Sequence, residues 1–190
     1  MGNLYLGLVH HPIKNKNNEL VTTSVTNLDI HDISRSCRTF GVAKYFIITP
    51  LEAQWELVGR ILGHWEEDKA SAYNPDRQDA LQIAKLSKSI EDSIKSIEQL
   101  EGKRPKLIYT GANFEGDYVK CSEIKNALER ENGPYFIIFG TGWGLHDNAM
   151  VHEHLKLEPI FGSAQDKYNH LSVRSAVAIY LDRLTIKINN

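Results

Sequence analysis

The sequence predicts an α/β fold: a mostly parallel sheet flanked by helices, in a single domain spanning residues 1–190. Two observations carry this. Short apolar, β-rich runs alternate along the chain with stretches of helical period, the pattern of a parallel sheet covered on both faces. No repeat, low-complexity tract or linker breaks the alternation, and 190 residues suffice for one sizeable core.

In chain order, the β-rich runs fall at residues 4–9, 44–49, 106–110, 135–139 and around 159–161. The first helical stretch follows Asp29, an acceptable N-cap, with Ile30, Ile33, Cys37 and Phe40 on one face. A second follows Pro50 and carries Trp55, Val58, Ile61, Leu62 and Trp65. The spacing of Ile83, Leu86, Ile90, Ile94 and Ile97 predicts one long helix over 79–101. The last helix covers 171–184, with Val173, Ala176, Val177, Tyr180, Leu181 and Leu184 as its apolar stripe. Residues 11–19 and 66–79, the latter containing Asn74-Pro75, read as polar loops.

A formal net charge of −2 excludes a protein that coats nucleic acid through its overall charge. RNA contact would have to come from a local basic patch. Two cysteines, Cys37 and Cys121, make no disulfide framework and suit a reducing compartment. The apolar run at residues 4–9 has no charged leader and is too short to span a membrane. A cytoplasmic protein without membrane association is expected.

The most suggestive local feature is Phe139-Gly140-Thr141-Gly142-Trp143-Gly144-Leu145, directly after an apolar run. Glycines at a strand end let backbone approach a ligand and adopt positive φ, although a tight strand-to-helix turn would use them equally well. A dinucleotide site requires Gly-x-Gly-x-x-Gly early in a βαβ unit; the spacing here is Gly-x-Gly-x-Gly. The glycine loop of class I methyltransferases has that spacing, but that fold continues with several further strand–helix units. After Gly144 only 46 residues remain. A cofactor held by this loop would therefore sit at the C-terminal end of the fold.

Three segments together resemble the motifs of the SPOUT class of S-adenosylmethionine-dependent RNA methyltransferases. Residues 27–42 resemble the first TrmH-type motif, with Arg35 six residues before Gly41 at the motif's arginine position. The loop at 139–145 resembles the second. Pro159-Ile160-Phe161-Gly162, followed by Tyr168-Asn169-His170-Leu171-Ser172-Val173 and an Ala-rich helix, resembles the third. The match covers most of the chain. It is nearest to a small bacterial family that also occurs fused behind a tRNA guanine methyltransferase (TrmD). The resemblance implies a C-terminal trefoil knot, a homodimer that completes the active site, and a bent S-adenosylmethionine held by the knot loops. Transfer RNA is the implied substrate. Three positions differ from TrmH-type ribose methylases. Asp29 stands where they carry asparagine, the second motif has no glutamate, and Tyr168-Asn169-His170 replaces Ser-Leu-Asn. Base and 2′-O-ribose methylation both stay open.

Methyl transfer needs a bound sulfonium, an in-line nucleophile and an acceptor for its proton. The expected cofactor wall is the backbone at Gly140, Thr141, Gly142, Gly144 and Leu145, at Ile160, Phe161 and Gly162, and at Leu171, Ser172 and Val173. Thr110 and Gly111, ending another strand, complete it. Arg35 would orient an RNA phosphate or the attacking group through its fork of donors, with Arg38, one turn along, as a further phosphate contact. His170 and Asp29 are the candidate bases; a helix cap explains Asp29 as well. Trp143 could stack on a base or pack in the core. His10, His11, His146, His152 and His154 show no catalytic zinc spacing, so no metal is expected. The competing readings are a non-catalytic RNA-binding protein on the same fold, a methyltransferase for small molecules or proteins, and a dinucleotide-dependent oxidoreductase.

Overall fold

Continuous apolar runs become strands buried on both faces in the computed structural model, which describes residues 2–66, 74–114, 116–166 and 168–186. The strands are β1 (Leu4–Val9), β2 (Ile13–Lys14), β3 (Leu20–Val21), β4 (Lys44–Ile48), β5 (Ala84–Ser87), β6 (Lys106–Tyr109), β7 (Tyr135–Gly140) and β8 (Leu155–Lys156). Six of them form one sheet in the order β5-β4-β1-β7-β6-β8, every neighbouring pair parallel, while β2 and β3 make a small antiparallel ribbon. The helices are α1 (Asn27–Thr39), α2 (Glu52–Glu66), α3 (Pro75–Leu81), α4 (Ile90–Glu101), α5 (Cys121–Arg130) and α6 (Val173–Thr185).

Alternate side chains of the strands feed two apolar layers. Leu6, Leu8, Tyr45, Ile47, Ile137 and Phe139 pack under α1, α5 and α6 through Ile33, Cys37, Ile124, Leu128, Val177 and Leu181. Tyr5, Phe46, Ile48, Phe136 and Ile138 face α4, which contributes Ile90, Ile94 and Ile97. No helix among the described residues is long and apolar enough to cross a membrane.

Several expectations are corrected. The long helix over 79–101 is three elements: α3 ends at Leu81, β5 adds an edge strand beside β4, and α4 begins after Ser89. The Ser89 hydroxyl accepts from the Asp92 N–H at 3.1 Å, and buried Ser93 donates to Ser87 at 2.9 Å, fixing that start. Ile83 and Leu86 continue the period of α4 by coincidence, so periodicity hid the strand. The N-cap of α1 is Thr26, not Asp29; the Asp29 N–H donates to the Thr26 hydroxyl at 3.2 Å. The last strand lies at Leu155–Lys156 instead of 159–161. Pairing stops with Leu157 N–H to Tyr109 O and Glu158 N–H to Val119 O, both 2.9 Å, because Pro159 has no N–H to continue. Residues 11–19 hold β2 rather than a bare loop. Of the loop expected over 66–79, residues 67–73 lie outside the described residues, and 75–81 form α3, capped by Asn74. Helix α5 was not anticipated.

Gly7 sits in the middle of β1, where an added Cβ would lie 2.8 Å from the Phe136 ring and 3.1 Å from Ile48 Cδ1. Gly7→Ala is therefore expected to destabilise the fold by about 1–3 kcal/mol through overpacking, visible as a lowered Tm in thermal unfolding. An unchanged Tm would contradict this packing.

Candidate active site

The chain runs from β1 outward to β4 and β5, then returns to build β7, β6 and β8 on the other side of β1. The order reverses between β1 and β7. Such a switch point opens a crevice at the carboxyl ends of the strands, and a cavity of about 1080 Å³ lies there. Its walls include residues 110–114 after β6, residues 139–145 at the end of β7 and just beyond, and residues 169–174 leading into α6.

Local hydrogen bonds hold the glycine loop. Thr141 donates both its N–H (3.3 Å) and its hydroxyl (3.0 Å) to the Val9 carbonyl at the end of β1. Lys14 N–H donates to Gly144 O at 2.9 Å and Trp143 N–H to Lys14 O at 3.4 Å, tying the loop to β2. Gly142 and Gly144 take φ of +57° and +102°, values that disfavour side chains. At Gly144 a Cβ would meet no atom within 4 Å.

Behind the loop is a buried polar chain. His10, fully buried, pairs its Nδ1 with the Thr23 hydroxyl at 3.1 Å, and Thr23 Oγ1 lies 2.5 Å from Thr141 Oγ1. Its Nε2 is buried without a hydrogen-bond partner among the described residues. Burial lowers the imidazole from 6.5 to about 4, against the opposing charge of Asp29.

At the opposite wall, buried Asp29 binds two groups. Its Oδ1 accepts from Arg174 Nη1 at 3.0 Å and its Oδ2 from the Thr26 hydroxyl at 2.5 Å. Arg174 Nε also lies 3.4 Å from Asp32. The guanidinium is thus gripped by two carboxylates of α1 while lining the cavity. Ser172 caps α6 by accepting the Ser175 N–H at 3.2 Å.

Of the residues singled out from sequence, Thr110, Gly111, Gly140, Thr141, Gly142, Gly144, Leu145, Ile160, Leu171, Ser172 and Val173 line this cavity, as do Asp29 and His170. Phe161 and Gly162 do not, and Phe161 is 66 % exposed. Arg35 faces a different groove. Arg38 points to α3, its Nε 2.7 Å from Asp79. Trp143 is neither core nor shielded: it is 68 % exposed at the loop. Among the described residues no group of three His, Cys, Asp or Glu could hold a metal; His146 caps the turn Asp147–Ala149 and His152 pairs with Glu91 at 3.0 Å. Sequence reasoning missed Arg174 and His10. Arg174 lies 145 positions from Asp29, and no local spacing announces such a pair.

The class follows from fold and site together: a parallel sheet whose cofactor-sized cavity is built by its C-terminal loops, the SPOUT arrangement. The solved TrmH/SpoU tRNA modifying enzyme of A. aeolicus superposes with a TM-score of 0.54 at 15% identity, covering 97% of this chain and 75% of that one. A family profile described as SAM-dependent RNA methyltransferase matches residues 3–186, and the chain belongs to that family. Its cofactor is S-adenosylmethionine, and its activity is methyl transfer to RNA. A relative from Aquifex aeolicus (strain VF5), described only as an uncharacterized protein, is 36% identical over 182 residues, 96% of this chain and 88% of its own length. A tRNA (guanine-N(1)-)-methyltransferase of Oleidesulfovibrio alaskensis is 42% identical over 96% of this chain but only 42% of its own length. The chain thus spans about two fifths of that enzyme.

The His10 cluster makes a pH prediction. With its folded pKa below the unfolded value, the unfolded state binds the proton first, so stability is full above about 6.5 and falls as pH drops towards about 4. The loss amounts to about 3 kcal/mol. Urea unfolding from pH 7 to 4 is expected to show it, and His10→Asn to flatten the profile; parallel profiles would contradict the buried neutral imidazole.

Proposed function

We propose that this chain is a tRNA methyltransferase that holds S-adenosylmethionine in the cavity between the glycine loop and the start of α6. The observation that carries this is convergence. Three segments distant in sequence meet at one switch-point cavity, and a half-buried, carboxylate-gripped arginine opens into it. The residues fit the cofactor. Gly144, at positive φ and with nothing within 4 Å of an added Cβ, leaves open backbone on the wall, Leu145, Ile160 and Val173 give apolar surface for an adenine, and Thr110 and Ser172 give polar groups. When bound, S-adenosylmethionine supplies an electrophilic methyl group on a sulfonium.

The chain's own residues supply the rest. Asp29 and Asp32 fix the plane of Arg174, whose remaining donors orient an RNA phosphate or the attacking group. With both carboxylate oxygens engaged, Asp29 serves as the anchor of Arg174. His170, exposed and lining the cavity, is the proposed acceptor of the proton that the nucleophile loses. Arg35 and Arg38, exposed on α1, contact RNA beyond the cavity.

Transfer RNA as substrate is supported by the naming of the Oleidesulfovibrio relative, which describes a longer protein. A trefoil knot is supported by the path of the chain after β7: it pairs at the far edge as β8, then returns to pack α6 against α1 and α5. Trp143 and Leu171 on the cavity wall, and Phe161 and Tyr168 next in sequence to lining residues, leave exposed apolar surface, and this supports a homodimer whose partner helps to close the cavity. A cytoplasmic location is supported by two buried free cysteines.

The test is transfer of labelled methyl from S-adenosylmethionine to bulk tRNA, with nucleoside mass spectrometry to read the modified atom. Arg174→Ala is expected to lower kcat by on the order of a hundredfold while leaving cofactor affinity within about threefold, an energy under 1 kcal/mol. Gly144→Val is expected to abolish cofactor binding in calorimetry. Full transfer by both variants would contradict the assignment.

A further inference from the structure

A second groove, of about 550 Å³, shares no lining residue with the cofactor cavity and lies between facing stripes of α1 and α2 with α3 at one end. Its α1 wall includes Leu28, His31, Asp32 and Arg35, at helical spacings of three and four, and its α2 wall includes Arg60, His64 and Trp65. Arg77 of α3 lies over the Trp65 ring, 5.3 Å from its centroid. We propose that this groove is a second RNA subsite, which grips a single-stranded stretch of the substrate. Its phosphates lie on Arg35, Arg60 and Arg77, and one unstacked base lies against the Arg77–Trp65 stack. The inference rests on the reading that the protein acts on RNA, and it goes beyond the cofactor cavity.

Three features point to RNA. First, the charge is one-sided although the whole chain is net negative. Three arginines and His31 face one carboxylate in the groove, Asp32, which already engages Arg174 at 3.4 Å. No ion pair among the described residues involves Arg35 or Arg77, and the Arg60–Glu56 pair is long (3.8 Å) and solvated, so a phosphate readily replaces it. Second, single-stranded nucleic acid is held by aromatic faces and guanidinium planes set in a basic track, and Trp65 with Arg77 provides both. Third, His31 reports the local field. Burial, the Arg77 charge and the Arg35 charge all lower its pKa, with Asp32 alone opposing, and its buried Nδ1 has no partner among the described residues. A second copy of the chain is a poor occupant. A two-fold contact sets a patch against itself, which here sets arginines against arginines.

The test uses fluorescence anisotropy with a labelled, mixed-sequence single-stranded RNA of about a dozen nucleotides, over a range of salt. Trp65→Leu is expected to weaken binding about tenfold. The Arg60→Glu, Arg77→Glu double variant is expected to weaken it further and to make the log–log salt slope shallower by about 1.4, at about 0.7 for each phosphate that is no longer neutralised. Cofactor affinity by calorimetry stays at the wild-type value in each, which also shows that the variants fold. If the double variant fails that control, Arg60→Glu alone, at a side chain 82 % exposed, carries the test. Unchanged affinity and slope would overturn the subsite. So would loss of binding accompanied by dissociation in sedimentation, which would make the groove an interface between copies. Failure of the wild type to bind RNA would overturn the subsite and the RNA-methylating reading together.

Discussion

The central parallel pair, β1 beside β7, is the constraint on which the site depends. Residues 4–9 register against 135–140 one for one, so the end of the first strand is fixed next to a loop more than 130 positions later. The two Thr141 donors to Val9 O convert that register into a loop position. His10 and Thr23 then brace the loop from behind. Every residue in this brace is partly or fully buried, where an unmade hydrogen bond costs more than a made one contributes. The position of the glycine loop is thereby set by hydrogen bonds of the chain itself.

The other wall rests on an ion pair between buried Asp29 and half-buried Arg174, and here the energetics concern geometry more than stability. Taking the Asp29 carboxylate out of water costs several kcal/mol. The Arg174 guanidinium and the Thr26 hydroxyl offset that cost only in one arrangement, the one that aims Arg174 into the cavity. Because Thr26 caps α1 and Arg174 lies in the first turn of α6, the pair also clamps the N-terminal ends of two helices drawn from opposite ends of the chain.

Much of this was legible in the sequence, and the illegible part has a physical reason. The buried strands announced themselves as apolar runs, and the glycine loop as three glycines directly after one of them. Counting the residues left after Gly144 placed the cavity at the C-terminal end. Edge strands were not legible: β5 and β8 carry too few side chains to set a period, and their pairing is decided by β4 and β6. Ile83 and Leu86 even mimicked a helix. Pairings across the chain were invisible for the same reason. Nothing local to Arg174 or Asp29 signals the other, and nothing in His10 signals that its ring is buried beside Thr23. Arg35 matched a motif position, yet it lines the α1–α2 groove rather than the cavity; helix phase, not sequence order, decides which face a side chain takes.

The central claim, that the glycine loop and the start of α6 jointly hold the cofactor, is tested most directly by amide hydrogen exchange with and without S-adenosylmethionine. Slowed exchange is expected at residues 110–113, 140–145 and 169–174, with α4 on the opposite face of the sheet unchanged. Slowing confined to other segments, or none at saturating cofactor, would contradict it.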